Sequence, residues 1–138
     1  MDEVGIDRWF SCYLAEFRAL GRGDVEDVRR LLAFYGVPLL VGTDAECLAL
    51  TDEKQVLAFV EQQIAGMRSA GYDRSDELTA ETTVLNGSCV LRQGRFARLR
   101  ADGSEIAHIA CTYLITDGSA GRRISAILVH SGRSSGGG

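Results

Sequence analysis

A chain of 138 residues with 46% hydrophobic content is the size of one domain and can bury a core. No apolar run is long enough to span a bilayer, and the opening MDEVGIDRWF is acidic, unlike a basic leader, so a cytoplasmic protein with no membrane partner is expected. The formal charge of −4 argues against nucleic acid as a partner, although residues 1–81 carry 16 acidic and 8 basic side chains while residues 82–138 carry 3 and 7. Cys12, Cys47, Cys89 and Cys111 form no CxxC pair, and with only two histidines no standard zinc spacing arises. Neither a metal nor another cofactor is expected, and the cysteines read as small, mostly buried hydrophobes.

In chain order, Asp7 is placed to cap a helix whose apolar face carries Trp9, Phe10, Tyr13, Leu14, Phe17 and Leu20, stopping at GRG. Asp24 starts a second helix with Val28, Leu31, Leu32 and Tyr35 on one side, ended by Gly36 and Pro38. PLLVG is long enough only for a strand. A third helix follows in TDEKQVLAFVEQQIAGMRSAGY, capped by Thr51. After Gly71 the texture changes to strand formers: TTVLNGSCVLRQGRFARLR, a turn at ADGS, EIAHIACTYLIT, a turn at DGSAG, and RRISAILVHS. Helices first and an antiparallel meander last predict an α+β fold, with one domain over 1–131 and a loose Gly/Ser-rich tail over 132–138.

WFSCYLAEFRALGRGDVEDVRRLLAFYGVPLL at the front and GSCVLRQGRFARLRADGSEIAHIACTYLITDGSAGRRISAI behind carry a resemblance. The layout of helices, DG-type turn, Tyr-containing strand and final strand resembles the NTF2-like superfamily, which includes SnoaL-like polyketide cyclases and ketosteroid isomerases. In the family the last motif reads near gWRI; here it reads GRRI, with Arg122 in place of the tryptophan. The resemblance implies a cone of three N-terminal helices on a strongly curved antiparallel sheet. It also implies a hydrophobic pocket and, often, a homodimer joined through the sheet. The ketosteroid isomerases place a tyrosine on the first helix and acids near the first strand and on a later one. Tyr13 suits the first place, but no acid precedes Asp44 near PLLVG and HIACTYLIT has none. The family's epoxide hydrolases use an Asp–Arg–Asp arrangement; Arg98 could be the arginine, yet LRQGRFARLR offers no acidic neighbour.

Side chains alternate across a strand, so in HIACTYLIT the histidine and cysteine fall on opposite faces and a Cys–His nucleophilic pair is geometrically poor. Ile109, Cys111, Tyr113 and Ile115 share the face expected to look inward. His130 faces His108 or Ile109 on the neighbouring strand, according to the length of the DGSAG connection, and is the most plausible base near neutral pH. The arginine strand leaves two parities open. With Ala97 and Leu99 inward, its arginines form an outer strip for a dimer interface or an anionic partner, without the aromatic platform that nucleic acid needs; this is the favoured arrangement. With Phe96 and Arg98 inward, Arg98 becomes an anion anchor. The expected function is binding of a small, moderately apolar ligand in a cone-shaped pocket, with Tyr13, Tyr35, Arg98, Cys111, Tyr113 and His130 as ligand-binding candidates and no catalytic residue assigned. The alternatives are a SnoaL-like isomerase, cyclase or hydratase using acid–base catalysis, and a non-catalytic dimeric accessory module.

Overall fold

The computed structural model describes residues 1–130, so the loose tail expected for 132–138 lies outside the described residues. Helix α1 (Glu3–Arg22) begins a turn earlier than the pattern indicates, because Asp2 rather than Asp7 is the cap and accepts from the Gly5 N–H at 2.7 Å. Its buried stripe, Ile6, Phe10, Tyr13, Phe17 and Leu20, recurs every three to four residues, and Gly23 ends it in the left-handed conformation at φ 85°. The second expected helix is instead a 3₁₀ turn over Val28–Ala33, capped by Asp27. The chain leaves the turn straight into the sheet: the Phe34 carbonyl accepts from the Ile124 N–H at 2.6 Å. Helix α2 (Glu53–Ser69) is capped by Asp52, while the neighbouring Thr51 donates its N–H to the Gln55 side chain at 2.7 Å.

Six strands follow or interleave: β1 (Tyr35–Gly42), β2 (Cys47–Leu50), β3 (Tyr72–Val84), β4 (Cys89–Arg100), β5 (Glu105–Gly118) and β6 (Gly121–His130). Among the described residues they form one sheet in the order β2-β1-β6-β5-β4-β3. β1 pairs with β6 in parallel and every other neighbouring pair is antiparallel. The fold is thus α+β, but the strongly curved antiparallel cone under three helices is corrected. The sheet is mixed because β1 lies parallel to β6, it is open because β2 and β3 remain as separate edges, and among the described residues two α-helices rather than three accompany it.

Strand β3 accounts for much of that difference. YDRSDELTAETTV has no apolar alternation because it is an edge strand exposed along most of its length, and its acidic side chains guard that edge against further pairing. Helix α1 packs closely over its start. A Cβ at Gly21 would fall 2.7 Å from the Met67 Cε and 2.8 Å from the Tyr72 ring, so only glycine permits this approach. The core forms between the helices and one face of the sheet, where Leu39, Val90, Ile115 and Ile124 are fully buried. The opposite face is partly apolar and open to water: Leu40 on β1 and Leu128 on β6 are 41% and 38% exposed. The expectation of mostly buried cysteines fails as well, since Cys12 and Cys47 are exposed, Cys89 is half-buried and only Cys111 is buried.

Candidate functional site

A cavity of about 250 Å³ lies between α1, α2 and the helix-bearing face of the sheet. Tyr13 reaches it from α1, Tyr35 from β1, Arg98 from β4, and Cys111 and Tyr113 from β5. The parity of β5 explains the last two: Ile109, Cys111 and Tyr113 alternate onto the helix-bearing face. The same parity carries across the ladder. Gly94 pairs with Cys111, Phe96 with Ile109 and Arg98 with Ala107, so Phe96 and Arg98 face the helices. The favoured outward arginine strip is therefore corrected in favour of its alternative.

Polar groups concentrate around Tyr13. Its hydroxyl lies 2.7 Å from that of Tyr35, both buried, and its ring packs edge-on against Tyr35 and Tyr113 at 5.6 and 6.2 Å between centroids. Burial pushes the Tyr13 and Tyr113 phenols well above their ordinary range, with neighbouring ionisable groups adding to the shift. Burial also raises Tyr35, opposed in part by the hydrogen bond to Tyr13 and by the Arg98 charge. Cys111 is likewise raised by burial, against a weaker lowering by Tyr113 and Arg98. All four keep their protons near neutrality. The site offers hydroxyl donors and an inert thiol, not a thiolate nucleophile.

Arg92 lies on β4 as well, two turns of the pleat before Phe96. Its guanidinium donates to Glu77 on β3 at 2.6 and 3.0 Å, lies 3.5 Å from the Asp7 carboxylate and sits 4.2 Å above the Phe10 ring. Burial works against its charge, but the bonds to Glu77 and Asp7 outweigh it and the net shift is upward. Asp7 also accepts from the Thr82 hydroxyl at 2.8 Å. This acid–arginine–acid group ties α1, β3 and β4 together. Arg92 does not line the cavity, and both its acids are committed to it, so the group is structural rather than a water-activating device. Both acids are supplied by other elements, which is why no acidic neighbour shows within β4 itself.

His130 is not brought to this site. Strand β5 runs to Gly118 and β6 begins at Gly121, and a bulge lies between the pairs Leu114↔Ala126 and Ile115↔Ile124. The resulting register sets His130 opposite Ala110, not His108 or Ile109. Its Nε2 lies 2.9 Å from the Thr112 hydroxyl, on the sheet face away from the helices. His108 is on that face too, 4.0 Å from Glu105. Residues with no distinguishing signal in the sequence complete the cavity: Gln63 from α2, Ser75 from β3 and Thr43 after β1. Among the described residues no group of three His, Cys, Asp or Glu side chains could hold a metal ion, and no helix is long and apolar enough to cross a membrane.

The sequence from residue 2 to residue 132 matches the model of the family described as NTF2-like protein (DUF6841). The chain belongs to this NTF2-like family. No curated protein matches it. Solved structures extend the likeness at the level of fold. A domain of unknown function with a cystatin-like fold from Nostoc punctiforme superposes with a TM-score of 0.69 at 19% identity, covering 96% of this NTF2-like chain and 77% of its own. An NTF2-like protein with a cystatin-like fold from Novosphingobium aromaticivorans gives 0.66 at 13% identity, covering 99% and 94%. The yeast UBP3-associated protein BRE5 gives 0.63 at 15% identity, covering 86% and 89%. Such identities establish shared architecture and leave function to the site.

Proposed function

We propose that this NTF2-like protein binds a small, moderately apolar molecule in the cavity beneath α1, holding it without turning it over. The observation that carries this reading is the pairing of aromatic and aliphatic walls with a few inward hydroxyls from Tyr13, Tyr35 and Tyr113. Proton-transfer chemistry would need a base, and neither a carboxylate nor an imidazole lines the cavity among the described residues. A benzene-sized guest fills a cavity of about 150 Å³, so the space here suits one ring with a short chain. A cytoplasmic setting fits the two exposed thiols, Cys12 and Cys47, which an oxidising compartment would modify.

The test uses 3-phenylpropan-1-ol, a neutral probe of about ten non-hydrogen atoms, for which affinity near the millimolar range is the expectation. Titration followed by protein NMR should perturb Tyr13, Cys111 and Val129 together and saturate. Val129→Phe, which adds bulk to the cavity wall from a half-buried strand position, should abolish the perturbations while leaving the thermal midpoint within a few degrees. Equal binding by both proteins, or perturbations elsewhere, would remove the reading.

A second reading, a dimeric accessory module joined through the sheet, is favoured by Leu40 and Leu128. They lie on neighbouring strands of the face away from the cavity, both substantially exposed. Sedimentation across micromolar concentrations should then show a dimer that Leu128→Glu dissociates. A strictly monomeric wild type would count against it.

A further inference from the structure

We propose that the ligand of this cavity is an organic monoacid, an apolar body of about one ring whose carboxylate is received by the Arg98 guanidinium. The proposal rests on the binding reading above and adds the chemical class of the guest.

Three arginines share the helix-bearing side of β4, and the protein treats them differently. Arg92 is saturated by Glu77 and Asp7. Arg100 donates to the Ala70 carbonyl at 2.9 Å, and to the Ser104 hydroxyl and the Glu105 carbonyl at 3.3 and 3.4 Å. Arg98, between them and half-buried, lines the cavity with its guanidinium 5.6 Å from the Phe17 ring centroid. Among the described residues it has no hydrogen-bond acceptor and no acidic partner. Stacking near an aromatic face contributes only about 0.5–1 kcal/mol at a partly exposed site. A planar fork of donors with no acceptor within the protein stays free for a guest, and a carboxylate matches that fork in a bidentate manner.

The rest of the lining agrees. Phe17, Phe96, Ile109 and Ile127 supply an apolar wall, and no Asp or Glu among the described residues competes for Arg98 inside the cavity. Between them, Tyr13 and Tyr35 use one proton in their mutual bond and retain another to donate, so the tyrosine pair also favours an acceptor-bearing guest. Among the described residues Arg98 is the one cation lining the cavity, which suits a single negative charge better than a phosphate dianion. Arg98 also borders a second recess of about 200 Å³ against α2, near Gln62, Gln63 and Gly66, so the charged end lies where α2 meets the sheet and the apolar body points toward Tyr13.

Calorimetric titration of three near-isosteres decides it: 3-phenylpropanoate, 3-phenylpropanamide and 3-phenylpropylamine, each with the wild type, Arg98→Met and Arg98→Lys. The wild type should bind the carboxylate at least tenfold more tightly than the amide, and the amine most weakly. In Arg98→Met the carboxylate should lose its advantage over the amide, and Arg98→Lys should retain part of the preference. Since the native guanidinium makes no bond within the protein, both variants should keep the wild-type thermal midpoint, and the wild-type ratio alone is decisive if either does not. An amide that binds as tightly as the carboxylate, or a preference surviving in Arg98→Met, overturns the assignment of Arg98 and leaves the cavity as a neutral-ligand site. Absence of binding by all three overturns both.

Discussion

Above pH 10 the protein is expected to unfold in a single step, with tyrosine ionisation and loss of secondary structure coinciding. Tyr13, Tyr35 and Tyr113 are 3%, 2% and 8% exposed, and burial is the largest cause of the raised phenol pKa at each. The unfolded chain ionises near 10.0 while the folded chain holds its protons to much higher pH. Below pH 10 both states are protonated and the three groups contribute no pH dependence. As pH rises beyond that, the unfolded chain releases protons that the native state cannot, and stability falls by up to about 1.4 kcal/mol per pH unit for each tyrosine. Three such groups remove roughly 4 kcal/mol per unit from a total of about 5–15 kcal/mol, enough to unfold the domain within about two units. Tyr72, buried and hydrogen-bonded to Ser75 at 2.8 Å, is raised as well, by burial, and steepens the loss. Phenolate absorbance and circular dichroism, followed on one sample, should trace the same curve, and Tyr113→Phe should flatten it. Phenols titrating smoothly around pH 10 in a protein that keeps its dichroism would refute the account.

Truncating Phe10 should be the most damaging single core substitution. The side chain is fully buried, packs edge-on against Tyr113 at 4.8 Å and at a tilt against Tyr13 at 5.2 Å, and carries the Arg92 guanidinium 4.2 Å above its ring. Phe10→Ala loses transfer free energy and leaves a void, together about 3–5 kcal/mol, and also strips Arg92 of its aromatic support. Urea unfolding should show a loss of about 4 kcal/mol. In a double-mutant cycle Phe10→Ala should couple to Arg92→Met by more than about 0.5 kcal/mol. A loss below about 1.5 kcal/mol, or strict additivity with Arg92→Met, would show that Phe10 is not the link between α1 and the arginine.

Local pattern and non-local pairing divide what the sequence made legible. The apolar stripe of α1 is periodic and announces itself, as does the alternation of Ile109, Cys111, Tyr113 and Ile115 on β5. Those two stripes suffice to bring Tyr13 near Cys111 and Tyr113. The first part of β3 is not legible, because an exposed edge strand needs no apolar alternation and YDRSDEL offers none. The parity of β4 was not legible either. Arginines occur on both of its faces, and what makes Arg92 tolerable inside is a pair of acids supplied by α1 and β3. His130 was misplaced because the register of β6 depends on a bulge that no local residue preference reveals. The parallel pairing of β1 with β6 was invisible for the same reason.

That parallel contact has a consequence for assembly. β6 is the seam of the whole layer, with the β1–β2 hairpin on one flank and the β5–β4–β3 meander on the other. The N-terminal hairpin can acquire its permanent neighbour only after the C-terminal strand exists, and such distant closures cost chain entropy before they return any energy. During synthesis the first strands must wait, exposed, for the last one to slot between the two halves.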